Sequence, residues 1–207
     1  MDKLGLYNEA LRLCGERVLA SLTEDREPRR LLDSTWDANS YDTWLEETDW
    51  YFAMRSVKIG YDPSISPEWG AAYAFVKPLD MARVSGLYQD EYMNVPSRDY
   101  LDEGKYWFVD GYTEIYVRYV SNGASYGGDI GLWPASFAKY VAAFLAYEIS
   151  PRLKNNVDSD ALRSAMMIKE REAKSKNSLK LPSQRLPTGS WVNARLAGSR
   201  RDTGNRY

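Results

Sequence analysis

Apolar residues recur along the first fifty positions at helical spacing. Leu4, Tyr7, Leu11 and Cys14 stand at i, i+3, i+7 and i+10. They predict one face of a helix that Gly15 is placed to end. Residues 18–22 read as a short apolar connection. Pro28 suits the first turn of a second helix, with Glu24, Asp25 and Glu27 near its positive end. Leu31, Thr35, Ala38, Leu45, Thr48 and Phe52 then predict a stripe running to about residue 52, interrupted around Asn39 and Ser40. Beyond residue 53 the period shortens to that of a strand, with β-type runs at 54–59, 72–77, 82–84, 106–109 and 112–120. Asp110 and Gly111, between the last two, form a two-residue hairpin signal. In the final run Thr113, Ile115, Val117 and Tyr119 alternate with Glu114, Tyr116 and Arg118. One face should meet a core and the other water or a neighbour.

Two loops interrupt the strands. Residues 60–70 hold Trp69, and residues 121–131 carry Gly123, Gly127, Gly128 and Gly131. The second should be mobile or ordered by a partner. Helix returns at Pro134, apolar on nearly every side and therefore central, and Pro151 ends it. Asp158 or Ser159 caps a last helix with Leu162, Ala165 and Met166 inward. Its second half, 169–174, is charged all round, which suits a solvated face or a protruding helix. The order predicts an α+β fold: a helical bundle in two parts (1–53 and 132–173) with an inserted small antiparallel β-domain (54–131). An extended basic C-terminal arm (174–207) completes the chain.

Charge sets that arm apart. Residues 174–207 carry eight basic residues against one acid, a net of +7, which leaves 19 basic and 28 acidic residues, −9, for the rest. Pro182, Pro187, Gly189, Gly198 and Gly204 break the few apolar residues, so the arm buries too little to offset its ordering entropy. It reads as a frayed terminus or as an arm that orders on a partner through Trp191 and its arginines. The 207 residues include 16 Tyr and 7 Trp, an excess that favours contact surfaces beyond one aromatic core.

Composition removes several chemistries. There is no histidine, which excludes Ser-His-Asp and Cys-His catalysis and His-ligated zinc. Cys14 is the single cysteine, so no intramolecular disulfide or thiolate cage forms, and on an apolar stripe it acts as a small hydrophobe. Gly104 and Lys105 are followed by Tyr106 and do not open a phosphate loop, and the glycines at 127–131 lack a dinucleotide spacing. Carboxylate clusters remain at Glu46, Glu47 and Asp49 and at Asp99, Asp102 and Glu103. A glycan hydrolase needs two such groups across a cleft; on a chain with 29 acids they read as solvated faces. No catalysis, cofactor or metal is expected. The apolar stretch 134–149 is too short to span a membrane, and the N-terminal MDKLGLYNEA lacks a signal peptide's apolar run. The expected place of synthesis is the cytoplasm of the producing cell. A body at −9 would repel DNA, as suits a passage that must not grip a moving duplex.

The segments also carry a resemblance. NEALRLCG at 8–15 with VLASLTE at 18–24, WYFA at 50–53, Tyr73 with KPLDMARV at 77–84, YVRY at 116–119, WPASF at 133–137 and FLA at 144–146 follow one another in a recognisable order. In this order the chain resembles the head-to-tail adaptors of tailed bacteriophages, in particular the tail tubular protein A group of short-tailed phages. The resemblance covers roughly 5–149 and does not extend to the glycine-rich loop or the tail. It implies a structural virion protein: a ring of twelve copies at the head-tail junction, docked on the portal protein at one end and on the tail nozzle protein at the other. Double-stranded DNA would pass through its channel without specific binding. In that setting Trp191, Arg195, Arg200, Arg201 and Tyr207 are expected to dock on the portal or a neighbouring copy, and Trp69 and Tyr126 to contact the nozzle. Competing readings are a long-tailed-phage connector, a virion-associated glycan hydrolase using the acid clusters, and a DNA-binding accessory factor using the basic tail.

Overall fold

A computed structural model of the protein describes residues 1–68, 70–153 and 157–180. The fold is α+β. Its helices are α1 (Lys3–Leu13), α2 (Glu27–Leu45), α3 (Ala135–Ile149) and α4 (Ser159–Ser178). Its strands are β1 (Met54–Gly60), β2 (Tyr73–Val76), β3 (Met81–Tyr88), β4 (Tyr100–Glu103), β5 (Tyr106–Val109) and β6 (Glu114–Ser121). They form two antiparallel three-stranded sheets, ordered β1-β6-β3 and β2-β5-β4.

The helical unit closes around α3, which packs against α1, α2 and α4. The α1 helix starts where the Asp2 carboxylate accepts the Gly5 N–H at 2.8 Å and stops before Gly15, whose φ of +68° no β-carbon opposes. Tyr7, Leu11 and Cys14 face inward as their spacing predicts, Leu4 is partly buried against the same core, and Leu6, outside the expected stripe, is buried as well. Cys14 donates a weak bond to the Ala146 carbonyl, and burial, with Glu16 nearby, pushes its thiol up to about 11.

Several helical expectations are corrected. Of the expected α2 stripe Leu45 is buried and Leu31 is partly so, but the buried face runs mainly through Leu32, Trp36 and Trp44. The large indoles set the rotation, because they carry the most area to bury. The helix passes Asn39, whose amide donates to the Thr35 carbonyl, and ends at Leu45 rather than near residue 52. The α4 helix continues to Ser178, five residues past the expected end of the helical part at 173. Its charged half is docked, not protruding: Ala173 and Asn177 are buried. The Asn177 amide donates to the Asp49 carbonyl and accepts the Tyr51 N–H, at 2.8 and 2.9 Å.

Tryptophan is largely spent inside. Trp36, Trp44, Trp50, Trp107 and Trp133 are all buried. Trp36 stacks on Trp133 at 6.3 Å, and Trp133 meets Phe137 edge-on at 4.8 Å. For these five, core packing accounts for what composition suggested was contact surface.

The β unit has its own core, with Phe75, Trp107 and Val109 of one sheet against Leu87, Ile115, Val117 and Tyr119 of the other. β6 alternates as predicted until Val120 and Ser121, both buried, where the strand enters the helical unit. The expected hairpin at Asp110 and Gly111 does not form, because β5 and β6 lie in different sheets. Gly111, with φ +81°, turns the chain from one sheet to the other. The tight hairpin joins β4 to β5, where Glu103 pairs with Tyr106 and leaves Gly104 and Lys105 as the loop. Gly104 has φ +51°, the positive angle such a turn requires at its first central position. β4 was not foreseen, since YLDE has no apolar alternation.

Candidate functional site

The segment KPLDMARV at 77–84 joins the two units. Asp80 sits in the turn between β2 and β3 and accepts bonds from Arg55 (2.8 Å), Tyr119 (2.9 Å) and Ser121. Partial burial raises its pKa, but these three donors outweigh burial and leave the carboxyl below its ordinary value. Burial and the bond to Asp80 lift the Tyr119 phenol to about 12. The register of β3 shifts between Met81 and Arg83 and again between Val84 and Gly86, beside Arg83 and at Ser85. Such bulges re-aim side chains, and here both residues reach the turn after α2. Arg83 donates to the Glu46 and Glu47 carbonyls at 3.0 and 3.2 Å, and Ser85 donates to Asp49 at 2.6 Å.

The glycine-rich segment 121–131 belongs to the same joint, and it is packed rather than mobile. Gly127 donates to the Ser121 carbonyl, Gly128 to that of Gly123, and the Trp133 indole to that of Gly127. A β-carbon on Gly128 would stand 2.4 Å from the Asn122 carbonyl oxygen, and one on Gly127 would stand 2.6 Å from that of Ser121. The glycines allow close backbone approach, a role that composition alone does not separate from flexibility. Tyr126, expected at the nozzle, is half-buried here under the Arg55 guanidinium, 5.4 Å from its ring centre. Trp69, Trp191, Arg195, Arg200, Arg201 and Tyr207 lie outside the described residues.

The acid clusters are engaged structurally. Glu47 accepts the Tyr140 hydroxyl and faces Lys174 at 3.3 Å. Asp49 faces Arg83 at 3.4 Å. Asp102 accepts Lys77 and the Trp107 indole. Glu46, Asp99 and Glu103 are exposed. Glu47, Asp49 and Asp102 thus anchor elements to one another, whereas Glu103 lines a cleft of about 360 Å³ with Glu68, Leu101 and Phe108.

Two surface features stand out among the described residues. A groove of about 360 Å³ opens between the start of α3 and the end of α4, walled by Trp50, Tyr51, Pro134 and Phe137, with Lys176 and Lys180 on the α4 side. Sequence reasoning missed it, because its walls come from three distant segments. Rigid turns of the β unit hold out large apolar side chains: Leu79, beside the clamped Asp80, is 99% exposed and Tyr92 is 75% exposed. Leu79 was legible only as one position of the segment at 77–84. Among the described residues no helix is long and apolar enough to cross a membrane. No family model matches the chain, and no curated protein matches it.

Proposed function

We propose that this chain is a head-to-tail adaptor of a tailed bacteriophage, a structural subunit whose ring joins the capsid portal to the tail nozzle and lines part of the DNA exit. One observation carries the reading. The segment at 77–84, one stretch of the resemblance, ties the β unit to the helical unit: Asp80 bonds within the β unit and Arg83 reaches the turn after α2. A subunit that bridges two partners needs two surfaces held at a fixed relation, and a bonded joint supplies that. The groove and the protruding turns supply surfaces outside both cores. The basic residues Arg195, Arg200 and Arg201, with Trp191 and Tyr207, remain the proposed portal-docking or neighbour-docking set, and Trp69 the proposed nozzle contact. Leu79 joins the nozzle set in place of Tyr126, which the joint absorbs.

Electron microscopy of the chain, with and without the portal ring encoded by the same genome, tests this. Added ring density beneath the portal is expected. A chain that stays single and leaves the portal bare would rule the reading out.

A further inference from the structure

The groove between α3 and α4 combines apolar walls with positive charge. Trp50, Tyr51, Pro134 and Phe137 form the walls. The fifteen-residue α3 begins there with no side-chain cap, so its positive end faces the groove. Lys180 lies 4.7 Å above the Tyr51 ring and 3.0 Å from its hydroxyl. Lys176 pairs with Glu172 one turn back, an exposed pair that trades readily for another carboxylate. Such a groove accepts an aromatic side chain flanked by an acid.

The chain itself carries that combination. After β3, Asp90 accepts the N–H groups of Asn94 and Val95 at 3.0 and 2.8 Å, and Gln89 donates to the Val95 carbonyl. Met93 has φ +55° and is the one non-glycine residue with positive φ among those described. Backbone held in a sparsely populated region marks a segment kept in shape for a purpose. The shape here holds Tyr92 in solvent, 75% exposed, with Glu91 exposed beside it. Lys58, on β1 across β6 from β3, is bonded to Glu114 at 2.7 Å and also feels the charge of Glu91.

We propose that Glu91 and Tyr92 of one copy seat in the α3–α4 groove of the next, the phenol ring against Trp50 and Phe137 and the carboxylate on Lys176, Lys180 and the start of α3. A knob on one face and its socket on another make a head-to-tail contact, which closes into a ring when the rotation permits. This rests on the ring reading above and names the contact that builds it.

Sedimentation velocity of the full chain, alone and with the portal ring, reads the contact, with circular dichroism to show that each variant is folded. The pair Glu91→Lys with Tyr92→Ala is expected to weaken self-association about tenfold or more, as loss of an aromatic and charged anchor does. Lys176→Glu with Lys180→Glu should weaken it alike. Mixing an E91K chain with a K176E/K180E chain should restore mixed assemblies. Folded E91K/Y92A chains that assemble like the wild type overturn the contact and leave the ring reading standing. Loss in both variants without recovery on mixing also overturns the direct contact. A wild-type chain that stays single even on the portal overturns both.

Discussion

The helical unit draws its core from segments far apart in sequence: Leu6 and Trp36 pack with Trp133, Phe137 and Ala173. The β unit draws its core from the stretch between Phe75 and Tyr119, with Val57 and Ile59 packed against it. The first is dense in indole rings, and the second is a small sandwich around Trp107, the one indole of its core among the described residues. Between them run the bonds of Arg83 and Ser85 to residues 46–49, together with Val120, Met54 and Ala82, which pack into the helical core. Most apolar burial lies within one unit or the other, and directional bonds add a fixed geometry where they meet. Breaking one of those bonds costs most where it leaves its partner buried and unpaired.

That contrast can be broken most strongly at the tryptophans. Trp44→Ala is expected to cost about 3–5 kcal/mol and to unfold the helical unit, whereas Trp107→Ala, at a similar cost, should melt the β unit first. Helical ellipticity followed through urea unfolding separates them: it should collapse early in W44A and persist beyond the first transition in W107A. A single shared transition in both variants would mean that the two cores fold as one. The joint comes next. Gly128→Ala forces a methyl against the Asn122 carbonyl and is expected to cost about 1–3 kcal/mol. Gly60→Ala, at the open end of β1 with nothing within 4 Å, should instead gain about 0.4–1 kcal/mol. Melting temperatures of opposite sign check the pair.

The smallest effect is electrostatic. Asp80 titrates below its ordinary value, so its contribution is present above about pH 4 and is lost as pH falls through the lowered pKa. Asp80→Asn should therefore destabilise the protein at neutral pH by about 1–2 kcal/mol. The gap to the wild type should close on acidification toward pH 3. A gap that stays constant with pH would assign the loss to geometry and not to charge.

Much of this was legible in the sequence where local rules and burial agree. The period of α1, the alternation of β6, the cap at Asp158 (one of two positions expected) and the apolar α3 all stand in the chain as written. What was not legible depends on pairings across space. Asp110 and Gly111 carry a hairpin's chemistry, but β5 finds its partners in β2 and β4, so the turn serves a change of sheet. The glycines at 127 and 128 have the composition of a flexible loop, and only the carbonyls of Ser121 and Asn122 beside them reveal a packing role. The charged second half of α4 shows no inward stripe until Asn177 is seen bonded to the backbone of residues 49 and 51. The groove has no local signature, because Trp50, Phe137 and Lys180 never approach one another in sequence.

Asn177 has a mechanical meaning as well. Its side chain fastens the last turn of α4 to the backbone at Asp49 and Tyr51, immediately before β1 leaves the helical unit. A pull on the chain beyond Lys180 therefore acts first on a riveted point at the root of the β unit, and not on the loose end of a helix. Tension arriving there is shared between the two units from the outset, so the last turn of α4 is the place where a load on this subunit becomes a torque on its joint.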